Sequence, residues 1–331
     1  MKHRSIAITG TTGFIGKMLL EALSSRKRGP RCLAIDRLPP PITAPRVEGI
    51  DCDLTAPYAN EHLAEILRRH QCDLVVHAAL HSQPKRHEEY SHELQSIGTM
   101  HLLHAVNAAK IRKVILSSTT EVYGAFPDNP NFLSETHPLR GGSLSAFLRD
   151  KIDVEEQVAT FARQHPHSVV TIMRPCTILG PKIRNYKTHL LKKPVIPTVL
   201  GFDPLVQYVH ENDVLRAFLL AIEKDAAGAF NIVGDGVLPL SRALATVGKV
   251  RIPLPRAVLW NTFQTLWHLN LQPTPPSHIH FLQYPCIADG EKAKKALAFH
   301  PVYSLQEVLF SFQEGQGHDD TTEDTAASDS A

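Results

Sequence analysis

The chain has 331 residues, 43% hydrophobic and 21% charged, which gives core material for about two domains. Its formal net charge of +2 excludes the strong field that nucleic acid or an acidic membrane would select, and the basic clusters Lys2-His3-Arg4 and Arg26-Lys27-Arg28 lack interleaved aromatics. Five scattered cysteines without C-x-x-C spacing argue against a disulfide framework or zinc site; with no apolar run near ~20 residues and no room for a signal peptide ahead of the first strand, a cytoplasmic location is expected.

The first element is the most informative. An apolar β-type run (IAIT) enters a glycine-rich turn, Gly10-Thr11-Thr12-Gly13-Phe14-Ile15-Gly16, and an amphipathic helix pattern follows at once. A strand that delivers a tight turn to a helix N-terminus presents unpaired backbone N–H groups and a positive dipole end, which suit a pyrophosphate. Gly10 would permit the turn, Gly13 would allow backbone to approach phosphate, and Gly16 would let the helix pack closely on the strand.

Residues 31–36 (RCLAID) predict a second strand that ends in Asp36, about 20 residues beyond the turn. A carboxylate there accepts hydrogen bonds from an adenosine ribose and disfavours the extra phosphate of NADP, so NAD leads; Arg37 beside it keeps NADP open. After a proline-rich link, residues 47–54 predict a third strand, with Asp53-Leu54 placed to frame the adenine. Residues 61–70 have helical spacing, and 74–79 (LVVHAA) form a fourth, fully buried strand. Further along, 92–110 predict a long helix, 114–118 a strand, 153–163 a helix and 169–173 a strand. Strands and helices in alternation define an α/β parallel sheet.

After Arg174-Pro175 the texture changes. Residues 181–204 are rich in Pro and Lys and lack clear periodicity, as expected of a segment leaving the sheet. A helix follows over 214–223 with Asp213 as its N-cap, and 230–233 return to strand. A second domain is therefore expected from 174–205 and from 236 onward. The apolar stripe at 254–271 reads as a helix packed within that domain, a lid over a lipophilic substrate, or a peripheral membrane contact. The polar, acidic tail at 313–331 is expected to be disordered.

His101 and His104 are spaced i,i+3, and His77, His81 and His87 are close in sequence, yet no third ligand completes a recognised spacing and no metal is expected. His81 and Ser82 follow the fourth strand and are expected at the cleft. Cys176 should lie near it as a small buried apolar residue.

Together these residues resemble the extended short-chain dehydrogenase/reductases, the NAD-dependent epimerase/dehydratase family. The resemblance is carried by Thr9–Gly16, Asp36, Asp53-Leu54, His77-Ala78-Ala79, Ser117-Ser118-Thr119-Thr120-Glu121-Val122-Tyr123-Gly124, Arg174-Pro175, Gly180-Pro181 and Val209-His210-Glu211-Asn212-Asp213, in family order. It implies a Rossmann doubly wound parallel sheet over 1–173 and 206–235 that binds NAD(P), with a smaller C-terminal substrate domain over 174–205 and 236–312. It also implies a small-molecule substrate, a nucleotide sugar or a lipophilic alcohol, and a homodimer formed through the helices near 92–110 and 147–163. By the same resemblance the dinucleotide would be held by Gly10, Thr12, Gly13, Phe14, Ile15, Gly16, Asp36, Arg37, Asp53, Leu54, His77, Ala78, Ala79, Ser117, Lys151 and Arg174.

Chemistry in that family is hydride transfer assisted by a Ser or Thr hydroxyl, a Tyr phenol and a Lys. Thr119 takes the hydroxyl position and Lys151 the lysine position, but Phe147 stands where the tyrosine belongs. A phenol with its pKa lowered from ~10 can shuttle a proton, and a phenyl ring cannot. Proton transfer by a positioned group contributes about 10²–10⁴-fold, so the standard reaction should be slowed on that scale. Glu121 matches a glutamate that serves as base in the dehydratase branch, although Thr120 replaces the aspartate that accompanies it. Gln95 stands where the family more often has asparagine. Two functions follow: an NAD(P)-dependent enzyme that moves its proton through Thr119, Glu121 or a water held by Lys151, or a cofactor-binding sensor, assembly or partner protein without hydride chemistry.

Overall fold

A computed structural model describes residues 5–81, 83–84 and 92–315. The Lys2-His3-Arg4 cluster, Ser82, His87 and the tail from 316 lie outside the described residues. The first strand, β1 (Ser5–Thr9), is wholly buried, and α1 (Phe14–Ser24) follows it through the glycine turn. Strands β2 (Arg31–Asp36), β3 (Val47–Asp51), β4 (Leu74–His77), β5 (Lys113–Ser117) and β6 (Val169–Pro175) join it in one parallel sheet. The last strand of that sheet, over Gly228–Ile232, pairs with β6, and the spatial order places β1 between β2 and β4. The strand order reverses there, and in open α/β sheets the crevice beyond the strand ends at that point is where ligands bind.

Alternation along the strands builds a core on each face. Ile6 and Ile8 pack with Leu19, Leu20 and Leu23 of α1, while Ala7, Leu33 and Ile35 face the other side. That second face is covered by α2 (Ala59–Arg69), α3 (Gly98–Ala108) and α4 (Ala146–Gln164). This agrees with the α/β expectation. The third strand stops at Asp51 rather than at 54, because Asp53 turns aside to bind the Thr55 backbone and hydroxyl. The long helix expected over 92–110 is α3 preceded by a π-helical turn at Glu93–Ile97.

The helix expected at 153–163 starts earlier, at Ala146, because Ser145 caps it by accepting from the Leu148 N–H. Phe147 and Lys151 therefore sit one turn apart on one helix face, where i,i+4 side chains meet. A correction applies to Asp213. The helix α5 (Glu211–Glu223) begins two residues before it, capped by His210, and the buried Asp213 carboxylate instead accepts from the backbone of Val302 and Tyr303.

The smaller core lies beyond the strand ends. The strands over Val195–Val199 and Val250–Leu254 pair in parallel, and Leu190, Ile196, Leu244, Leu259, Phe263 and Leu282 close around them. Within the stripe at 254–271, a helix over Arg256–His268 buries Leu259 and Phe263, one turn apart, while Val258, Leu269 and Leu271 remain exposed. Residues 305–315 are helical and bury Phe312, so the chain is still ordered at 313–315. Among the described residues no helix is long and apolar enough to cross a membrane.

Candidate functional site

The glycine turn is shaped by what has no room. Gly10 has φ +71° and donates its N–H to the Ile35 carbonyl at 3.0 Å, tying β1 to β2. A Cβ on Gly10 would lie 2.5 Å from the Ala79 Cα, and one on Gly16 would lie 2.2 Å from the Gly10 carbonyl oxygen. Gly13 differs: it begins α1 with no side-chain cap, and only the Gly10 oxygen, at 3.2 Å, stands near its absent Cβ. Its open side faces two neighbouring cavities. The residues fit a dinucleotide cradle, since a side chain at Gly13 would fill the space a pyrophosphate needs.

One of these cavities is lined by Thr12, Asp36, Arg37, Leu54, Ala79 and His81. Asp36 accepts from the Thr12 N–H at 3.0 Å and hydroxyl at 2.9 Å, and from the Arg37 N–H at 2.8 Å. Arg37 reaches Asp53 at 3.4 Å. Burial pushes the Asp53 carboxyl up, but its Thr55 hydrogen bonds and Arg37 outweigh that and leave it below its ordinary value.

Two residues implied by the family resemblance stand behind the site instead of on its surface. His77 is fully buried and clamped between the Thr9 and Thr99 hydroxyls at 2.8 and 3.0 Å. Burial lowers its pKa to about 3, so it is a neutral strut between β1, β4 and α3. Arg174 is buried against Glu155, with its Nε 3.0 Å from both carboxylate oxygens, and donates to the Tyr123 phenol at 2.7 Å. Gln95 is buried in the π-helical turn and donates to Asp150.

The second cavity gathers Gly13, Phe14, Ile15, Ala78, Ser117, Thr119, Glu121, Phe147, Lys151 and Cys176. The Thr119 hydroxyl accepts from the Glu121 N–H at 3.3 Å and caps a short turn over Thr120–Tyr123, which fixes both side chains. Lys151 is buried, and desolvation brings its pKa down to about 8 despite Glu121, Glu155 and Asp150 nearby. Its ammonium lies 5.0 Å from the centre of the Phe147 ring, a cation–π contact in place of the expected phenol.

Sequence reasoning missed Tyr186 and Lys187, which line the same cavity. They open a seven-residue helix over Tyr186–Lys192, whose Asn185–Thr188 capping box was the available signal in a segment without periodicity. The Tyr186 phenol donates to both Glu121 oxygens at 3.0 and 3.1 Å, and the Lys187 ammonium lies 2.8 Å from one of them. Burial raises the Glu121 pKa, but Lys187 and these hydrogen bonds outweigh it and the net shift is downward. Burial first, and the Glu121 carboxylate second, push the Tyr186 phenol well above its ordinary value. His278 packs edge-on to Tyr186 at 5.4 Å and is held neutral by burial, at about 4.

Through Glu121, Cys176, Thr177 and Lys187 this cavity shares walls with a third, whose remaining lining is mainly Leu190, Leu191, Ile196, Val206, Leu240 and Leu282. Burial pushes the Cys176 and Cys286 thiols up to about 12, leaving both unreactive. Among the described residues no three His, Cys, Asp or Glu side chains converge as metal ligands; His101, on α3, donates its Nδ1–H to the Leu54 carbonyl at 2.8 Å.

The chain is similar to known proteins along most of its length. An uncharacterized protein of Mycobacterium tuberculosis is 30% identical over 315 residues, spanning 94% of this chain and 84% of its own. A Stigmatella aurantiaca 4-hydroxy-2-methyl-3-oxo-4-farnesyl-3,4-dihydroquinoline-1-oxide ketoreductase is 25% identical, over 94% of this chain and 97% of its own. A Streptomyces venezuelae dTDP-glucose 4,6-dehydratase, solved with NAD bound, has the same fold with a TM-score of 0.73 at 21% identity, covering 95% and 97% of the two chains. Residues 6–233 match the NAD dependent epimerase/dehydratase family, and the chain belongs to it.

Proposed function

We propose that this chain is an NAD-dependent oxidoreductase whose substrate is an alcohol or ketone on an apolar body. The observation that carries this reading is the shared wall: Gly13, Thr119, Phe147 and Lys151 face one cavity, which adjoins a chamber whose wall is mainly apolar, with Gln207, Tyr208 and His278 among its polar side chains. The nicotinamide, when bound, accepts or returns a hydride. Gly13 gives the diphosphate its approach, and Asp36 repels the additional phosphate of NADP. Lys151 supplies positive charge and a donor to the nicotinamide ribose, and the Thr119 hydroxyl holds the reacting oxygen.

The chamber favours an apolar substrate over a nucleotide sugar. Among the described residues its lining holds no arginine, and its Glu121 and Lys187 are paired with each other, which leaves neither for a diphosphate. The farnesyl-bearing substrate in the name of the Stigmatella relative is in keeping with that chemistry. The test is to titrate the protein with NADH and NADPH by calorimetry, then supply oxidised NAD with cyclodecanol or with UDP-glucose. Tighter binding of NADH and reduction of the dinucleotide by cyclodecanol are expected; failure to bind either dinucleotide would refute the reading.

Phe147 favours a second reading, a cofactor-binding protein without hydride chemistry. It requires that the wild type bind NADH, turn over nothing, and gain turnover as Phe147→Tyr.

A further inference from the structure

An oxidoreductase with Phe147 at the tyrosine position still has to move the hydroxyl proton of its substrate. Among the described residues that line the cavity around Thr119 and Lys151, Tyr186 supplies the one phenol. It arrives from a different part of the chain, on the first turn of the capped helix that begins after Asn185. Resting on the oxidoreductase reading above, we propose that Tyr186 is the catalytic proton carrier of this protein and Glu121 the terminal proton acceptor.

The hydrogen bonds are already aligned for that role. The phenol donates to the Glu121 carboxylate at 3.0 and 3.1 Å, so its oxygen keeps lone pairs for a substrate hydroxyl. Lys187, 2.8 Å from Glu121 and 3.0 Å from the Thr177 hydroxyl, fixes the carboxylate and keeps it ionised. Because burial and Glu121 hold Tyr186 neutral, it works as a relay and not as a phenolate: it takes one proton as it gives up its own.

In the oxidation direction the carbinol C–H bond breaks and its electron pair leaves as hydride to the oxidised nicotinamide. The O–H pair becomes the second C–O bond. The hydroxyl proton passes to the Tyr186 oxygen, and the phenol proton forms an O–H bond on Glu121. One alcohol, one oxidised dinucleotide and one carboxylate become one ketone, one reduced dinucleotide and one carboxylic acid. The Tyr123 phenol is otherwise engaged, fully buried between Arg174 and Asn231, and Tyr208 lines the adjoining chamber and not the cavity around Thr119 and Lys151.

The test pairs cyclodecanol turnover with a binding measurement that needs none: calorimetry, on the NADH-loaded protein, of decanamide, an unreactive amide whose N–H can donate to the Tyr186 oxygen as the substrate hydroxyl would. Tyr186→Phe is expected to lower turnover by about 10²–10⁴-fold. It should weaken decanamide binding by about three- to tenfold, the loss of one hydrogen bond, with NADH affinity unchanged. Glu121→Gln, which keeps the side chain's shape, should lower turnover similarly. Adding Phe147→Tyr to Tyr186→Phe should restore turnover, because a phenol again faces the cavity; a purely structural Tyr186 would give no such rescue. Turnover that survives Tyr186→Phe, or decanamide that binds both proteins equally or neither, overturns the carrier while NADH binding leaves the oxidoreductase reading intact. A wild type that binds no dinucleotide overturns both.

Discussion

The two ends of the site are built from different materials. The glycine turn is a backbone construction, completed within seven residues from Gly10 to Gly16 and held by the absence of side chains. The Glu121–Tyr186–Lys187 cluster is a side-chain construction, assembled across 65 residues and held by a buried carboxylate with its donors. A backbone site fails through sterics, and a buried ionic site fails through uncompensated charge. The two ends should therefore break separately.

The largest effect is expected at the ionic end. Lys187→Met leaves Glu121 buried without its cation, which should cost about 3–5 kcal/mol at neutral pH. Glu121 has a lowered pKa when folded, so its contribution is present above the unfolded pKa and is lost as pH falls through the folded one. Urea unfolding at neutral and acid pH should show the gap between wild type and variant closing in acid. NADH binding to the folded variant should persist, and its loss would mean the two ends are not separable.

Lys151 links the ends and shifts the other way. Its pKa falls from an ordinary 10.5 to about 8 on folding, so between those values the unfolded chain binds more protons than the folded one. Stability from this group is thus lowest below pH 8 and rises through that window, by at most about 1.4 kcal/mol per pH unit. Denaturant midpoints measured across the window should climb in the wild type relative to Lys151→Met. A parallel course for both proteins would contradict the buried, depressed ammonium.

The steric end should give a smaller change in stability but a complete loss of binding. A methyl group on Gly16 would meet the Gly10 carbonyl and the Thr11 Cα at 2.2 and 2.9 Å, both backbone, so α1 must move off the strand. Gly16→Ala should cost about 1–3 kcal/mol as overpacking. Calorimetry should detect no NADH binding, whereas the Tyr186–Glu121 contact stays in place.

The same contrast explains what could be read in the sequence. Gly10, Gly13, Gly16 and Asp36 were legible because a turn, a helix start and a strand end are local events with local residue preferences. The central strands were legible because β1, β4 and β5 are buried on both faces and show as apolar runs, whereas the edge strand β3 is only partly buried and its end was misplaced. Tyr186 was not legible: its neighbour Glu121 is set by how two segments fold together, and no local pattern encodes that meeting. His77 and Arg174 illustrate the same limit from the other side. Their positions match a motif, but whether a polar group faces a cavity or a buried partner depends on Thr99 and Glu155, far away in the chain. Asp213 misled at a helix start for a simpler reason, since His210 nearby is also able to cap and only the backbone geometry selects one.

The smallest predicted effect sharpens the comparison most directly, because it makes the side-chain end depend on one local feature. Asn185 accepts from the Lys187 and Thr188 N–H groups at 2.9 and 3.0 Å, and the Thr188 hydroxyl accepts from the Asn185 N–H at 2.8 Å. This box fixes the first turn on which Tyr186 and Lys187 stand. Asn185→Ala should cost about 0.5–2 kcal/mol, the usual loss for an N-cap. If the turn frays, the phenol loses its fixed place over Glu121 while the glycine cradle, elsewhere in the sequence, is untouched. Turnover should then fall more than stability, with NADH affinity unchanged, and Asn185→Asp should restore it because aspartate caps as well as asparagine. Equal losses of turnover and NADH binding would place Asn185 at the cofactor end instead and remove the separation between the two.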